Sequence, residues 1–116
     1  MHVDQAYGFR LEFEGKIIVH CLDTRLDQNA IEISKNADFL ITECSLPSGE
    51  SGEFWGHMNP KDAANLALQA QAKKTYLTHF SCTHFLKIED RIAARDEARK
   101  IFPEIYNAED NLMVEI

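Results

Sequence analysis

Lys16-Ile17-Ile18-Val19-His20-Cys21-Leu22-Asp23-Thr24 is the stretch on which the reading of this chain turns. Three β-branched residues in succession, giving way abruptly to Asp23-Thr24, describe a buried strand with a carboxylate at its C-terminal end. In α/β folds, ligand and catalytic groups collect outside the carboxyl ends of the strands. The run Lys74-Thr75-Tyr76-Leu77-Thr78-His79 has the same form, a short strand ending on a histidine. An aspartate and a histidine so placed suit a pair of metal ligands. The competing reading makes Asp23 simply the N-cap of the helix that follows.

The neighbouring segments extend this pattern into a sheet. Phe9, Leu11 and Phe13 alternate with Arg10 and Glu12, the period of a strand with one buried face. Glu14-Gly15 supplies a two-residue hairpin turn into the Lys16–Val19 strand. Leu26, Ala30, Ile33 and Ala37 recur at helical spacing, and Asp38-Phe39-Leu40-Ile41-Thr42 forms the next buried strand, ending at Glu43-Cys44. Ser45 to Met58 is the one long irregular stretch, a length that in a compact domain usually serves function. It stops at Asn59-Pro60, an N-cap followed by proline at the first helical position. Ala63, Leu66, Ala67 and Ala70 then make a narrow helix face able to lie close to a sheet. After the strand Thr75–Thr78 and the loop Ser81–Phe85, a third helix is expected. Its apolar arc comprises Ile88, Ile92, Ala94, Ala98, Ile101 and Phe102, and Pro103 closes it. Ile105–Ala108, a turn at Asp110-Asn111 and Leu112–Ile116 read as a second hairpin, so the expected sheet is mixed, with a hairpin at each end.

Composition narrows the function classes. The 116 residues make one small domain, with ordinary hydrophobic (45%) and charged (27%) content. Twelve basic against nineteen acidic residues leave a formal charge of −7, which disfavours broad binding to nucleic acid while permitting a local metal-assisted phosphate site. No apolar run reaches the roughly 18 residues of a membrane span, and no signal-peptide pattern is present at the N-terminus. Cys21, Cys44 and Cys82 are odd in number and lack CxxC spacing, which suits a reducing cytoplasm better than a disulfide framework.

Asp23, Glu43, His57 and His79 lie at strand ends or in loops, and His2 lies just before the first strand. Each taken singly has an ordinary explanation, such as a solvated carboxylate or a packed histidine. Imidazole and carboxylate together are the ligand set of zinc in hydrolytic sites. Their order matches a known pattern. Tyr7-Gly8-Phe9-Arg10-Leu11-Glu12, Gly15-Lys16, Asp23-Thr24, Glu43, Gly56-His57 and Leu77-Thr78-His79-Phe80-Ser81 resemble the C-terminal half of metallo-β-lactamase-fold hydrolases. The ribonuclease Z branch and its phosphodiesterase relatives are the most similar.

The resemblance implies roles residue by residue. His2 takes the place of a metal ligand, Asp23 that of the aspartate bridging two metals, and His79 that of the last ligand. Glu43, within Thr42-Glu43-Cys44-Ser45, matches a glutamate that supports a catalytic histidine, here His57 within Gly56-His57-Met58-Asn59. Two zinc ions, or manganese, and a phosphodiester or RNA substrate are implied with them. The sequence departs from the family at Leu22, where glycine is usual, and at Cys82-Thr83-His84, which lacks an arginine. The family's His-x-His-x-Asp-His motif is found nowhere in these residues, and the Met1-His2 start reads as a truncation beside a ligand.

The expected fold is therefore half of an αββα sandwich, one mixed sheet with three helices on its outer side. Phe9, Leu11, Phe13, Ile17, Val19, Met113 and Ile116 are the candidates for its open inner face. The N-terminal half of the same fold, or a homo-oligomer, is the expected cover. The isolated chain is expected to have little activity, since each metal lacks its three or four ligands. Two other classes stay open: a non-catalytic half-domain that serves as an oligomerising or partner-binding module, and an unrelated small α/β binding domain.

Overall fold

A computed structural model describes residues 6–51 and 56–116. Its elements in chain order are β1 (Phe9–Phe13), β2 (Lys16–Cys21), α1 (Gln28–Ser34), β3 (Phe39–Glu43), α2 (Pro60–Ala70), β4 (Lys74–Thr78), α3 (Ile88–Arg99) and β5 (Ile105–Asn107). The strands form one sheet in sequence order. β1 and β2 are antiparallel, with Phe9 opposite His20 and Phe13 opposite Lys16, whereas β2 to β5 run parallel. Glu14 (φ 50°) and Gly15 (φ 76°) both take positive φ in the connecting turn, the pairing that matches the twist of a two-residue hairpin. The parallel connections are made by the helices, as parallel pairing requires.

All three helices cover one face. Val19, Leu40, Thr75 and Ile105 lie side by side across β2 to β5, each fully buried. Ala63, Ala64, Leu66, Ala67 and Ala70 of α2 are also fully buried, so the small-residue face does bring this helix close to the sheet. Burial pushes the Cys21 thiol up to about 11 and the Cys44 thiol up to about 12, leaving both protonated at neutral pH. The N-cap of α2 is the expected Asn59, in a capping box with Asp62 and with Pro60 at the first helical position.

The opposite face is open. Phe9, Leu11 and Phe13 are 60%, 62% and 73% exposed. Phe39, Tyr76 and Tyr106 stack across the sheet, with ring centroids 5.9 and 5.4 Å apart. The C-terminal residues Leu112, Val114 and Ile116, together with Ile18, Phe39 and Tyr76, frame a cavity of about 310 Å³ on this face.

Four expectations need correction. Ile17 and Val19 pack in the helix-covered core, and Ile18 faces the open side instead. An unbroken apolar run hides which phase of the two-residue period points inward. Ile88 is 70% exposed, and only Ala94 and Ala98 of α3 are buried, because the small residues permit the close approach. The chain does not end in a hairpin: β5 pairs parallel with β4, and Leu112–Ile116 holds no strand, so β1 and β2 alone make the sheet mixed. Finally, Asp27 rather than Asp23 caps α1, accepting a hydrogen bond from Ala30 N at 2.9 Å.

Candidate active site

The carboxyl ends of β2, β3 and β4 lie side by side, and each is followed closely by a titratable residue. Asp23, two residues past β2, and His79, directly after β4, both adopt left-handed backbone, with φ of 50° and 56°. Such a conformation is uncommon outside glycine, and it turns the chain sharply at the strand end. Leu22 is not among the positive-φ residues, so the turn falls on Asp23 itself and leucine is accommodated where the family usually has glycine. Asp23 Oδ1 lies 3.4 Å from His79 Nε2, with both side chains substantially exposed.

Glu43 ends β3 and is fully buried. Its carboxylate accepts from Thr24 N at 2.7 Å, from Met58 N at 3.1 Å and from His57 Nδ1 at 3.1 and 3.2 Å. These three N–H donors occupy most of the acceptor capacity of a carboxylate, and they tie the β2–α1 connection and the loop before α2 to the end of β3. Glu43 is thus a hub rather than an open ligand. His57, on that loop, is three-quarters buried, and its ring centroid is 6.1 Å from that of His79.

Asp23, Glu43, His57 and His79 each offer an atom within 4.8 Å of all the others. The sequence reading therefore named residues that meet in space, and Glu43 and His57 stand at the hydrogen-bond distance expected of them. His2 lies outside the described residues, as does Trp55. His84 stays in the Ser81–Phe85 loop, hydrogen-bonded to Ser81 and 3.8 Å from Glu50, and His20 packs beside the Phe9 ring on the open face. Ser45 was missed as a separate participant. Its hydroxyl lies 2.8 Å from His79 Nδ1 and 2.9 Å from the His79 carbonyl oxygen. The alternation of Glu43 and Ser45 was the available signal, since residues two apart past a strand end share a face.

One carboxylate oxygen and one imidazole nitrogen, adjacent and open to solvent, fit a zinc or manganese ion by donor chemistry. Neither donor is tied up in the Glu43 hub.

A mixed sheet with helices on one side and this group at its strand ends defines a metallo-β-lactamase fold. The chain belongs to that superfamily, in its ribonuclease Z-like branch: residues 1–80 match the family described as the beta-lactamase superfamily domain. The metallo-β-lactamase fold protein YhfI of Bacillus subtilis is 30% identical over 112 residues, which cover 97% of this chain and 42% of that protein. Its crystal structure superposes with a TM-score of 0.81 over 94% of this chain and 44% of the other. Ribonuclease Z of Archaeoglobus fulgidus is 36% identical over 106 residues, 88% of this chain and 33% of that enzyme. Human tRNase Z, short form, superposes with a TM-score of 0.69 at 25% identity, over 94% of this chain and 38% of the other. The chain thus spans less than half the length of these relatives.

Proposed function

We propose that this chain is the C-terminal portion of a binuclear-metal phosphodiesterase of the ribonuclease Z type, completed by the N-terminal half of the same fold. The observation that carries the reading is the Glu43–His57 pair set beside Asp23 and His79, four groups within 4.8 Å. Asp23 and His79 would hold metal, with His2 as a further ligand. Bound there, a pair of zinc or manganese ions supplies an activated water and offsets charge developing on phosphate.

The chain's own residues then handle the phosphodiester. The buried Glu43 carboxylate accepts a hydrogen bond from His57 Nδ1–H and fixes the ring's orientation. His57 in its protonated form hydrogen-bonds a phosphate oxygen and gives its Nε2 proton to the departing alkoxide. Met58 N, held by the same carboxylate, keeps the loop from moving the ring off line.

The open sheet face favours a second reading, a non-catalytic half-domain whose work is association through Phe9, Leu11 and Phe13. Zinc content separates the two. The chain combined with a half carrying His-x-His-x-Asp-His is expected to retain zinc and cleave an aryl phosphodiester, and Asp23→Ala is expected to abolish cleavage. The chain alone should cleave at background rate. A metal-free assembly that remains inactive with zinc added would overturn the hydrolase reading and leave the module.

A further inference from the structure

Each of the two histidines at the site is held through Nδ1 by a side chain at or just past the end of β3. For His57 the partner is a carboxylate, which only accepts when ionised, so Nδ1 must carry the proton. For His79 the partner is the Ser45 hydroxyl, which can give one proton and also accept. Its second contact decides the direction. Ser45 Oγ lies 2.9 Å from the His79 carbonyl oxygen, which has no proton to offer. The single hydroxyl proton goes there, and the ring nitrogen 2.8 Å from the same oxygen must then donate.

We propose that Ser45 is a positioning residue that holds His79 as its Nδ1–H tautomer and presents the unprotonated Nε2 toward Asp23. The inference rests on the reading of His79 as a metal ligand. Nε2 and Asp23 Oδ1 are then two acceptors 3.4 Å apart, an arrangement that a shared cation stabilises and that is repulsive without one. An imidazole in water favours the Nε2–H form, which places a proton where the ion must bind. The surroundings keep the hydroxyl in register. Cys44 N donates to Thr78 O at 2.9 Å, carrying the β3–β4 ladder one step past the sheet and setting Ser45 beside His79. Ser45 is only 4% exposed, so water competes weakly for its hydroxyl. By gripping both the ring and the carbonyl, Ser45 also steadies the left-handed φ of 56° at His79. An orienting partner of this kind typically changes metal affinity by about 10–100-fold.

Nitrogen-15 NMR of the histidine rings tests the proposal, with this chain, Ser45→Ala and Ser45→Thr compared above the titration range of the imidazoles. The expected result is Nδ1–H at His79 in the parent, loss of that form in Ser45→Ala and its return in Ser45→Thr. An Nε2–H ring in the parent, or a tautomer unchanged by Ser45→Ala, overturns the proposal, and the parent measurement stands even where a variant fails to fold. Zinc titrated into parent and Ser45→Ala, each combined with a half carrying His-x-His-x-Asp-His, is expected to bind the variant about tenfold or more weakly than the parent. Equal zinc affinity in parent and Ser45→Ala overturns the positioning role. A parent that shows the Nδ1–H form but takes up no zinc even when combined with that half overturns the metal reading instead, so the two failures are distinguishable.

Discussion

The two faces of the sheet are built from the same strands and have opposite fates. On one, Val19, Leu40, Leu77 and Ile105 are fully buried under three helices. On the other, Phe9, Leu11 and Phe13 remain more than half exposed, and the residues from Leu112 to Ile116 shield only part of the surface. The apolar content of the two faces is similar, so hydrophobicity alone does not say which one is the core. The difference is that α1, α2 and α3 connect parallel strands, and a crossover of fixed hand puts them all on one side. Among the described residues, the fully buried charged group is Glu43, at the edge of the open face where the site begins.

The sharpest way to break the comparison is one leucine on each face. Leu40→Ala should lower stability by about 2–5 kcal/mol in urea denaturation, through lost burial and the cavity left behind. Leu11→Ala, measured at a dilution where the chain is monomeric, should stay within about 0.5 kcal/mol, as for other exposed positions. Equal losses would mean that the open face is covered as well as the other. Glu43→Ala is the next largest effect. It strands Thr24 N, Met58 N and His57 Nδ1, so a loss of about 1–3 kcal/mol is expected in the same measurement. Little change in urea midpoint would mean that Glu43 does not organise the strand ends.

Association sharpens the contrast further. At about 25 cal/mol per Å² of apolar surface, covering a few hundred Å² of the open face supplies several kcal/mol. Sedimentation of this chain at micromolar concentration is expected to show species larger than a monomer, and Leu11→Lys should weaken association about tenfold or more. A compact monomer that binds no apolar dye would refute this.

The smallest effect concerns the edge of the sheet opposite the site. The Lys73 ammonium, hydrogen-bonded at 2.7 Å, holds the Asp38 carboxyl below its ordinary value, with help from Ile17 N. A depressed carboxylate contributes stability above its unfolded value of about 3.9. That contribution disappears as the pH falls through the lower folded value. Asp38→Asn should therefore shift the urea midpoint slightly near neutrality and flatten its decline as the pH falls below about 4. An unchanged acid limb would show the pair to be without effect.

Much of the site was legible because its signals are local. A strand that stops at Asp23, another at Glu43 and a third at His79 can be counted along the chain, and parallel strands with helical crossovers bring those ends together. The Asn59-Pro60 helix start was legible for the same reason, since capping chemistry acts over four residues. Properties that depend on phase were not. Ile17-Ile18-Val19 is apolar at every position, so which residue faced the helices was open until the register with β1 and β3 was known. The α3 arc and the supposed C-terminal hairpin failed similarly, because both depended on what lay opposite.

Sequence by itself determined the kinds of donor present, their order and their placement at strand ends. Those properties follow from residue chemistry and the two-residue and 3.6-residue periods. Tertiary structure alone decided that Asp27 caps the helix and leaves Asp23 beside His79, that Glu43 gathers three N–H donors, and that Ser45 reaches two atoms of one histidine. Hydrogen-bond saturation and proton direction are set by atoms meeting across a fold, from residues as far apart in sequence as Ser45 and His79, and no local pattern carries that information.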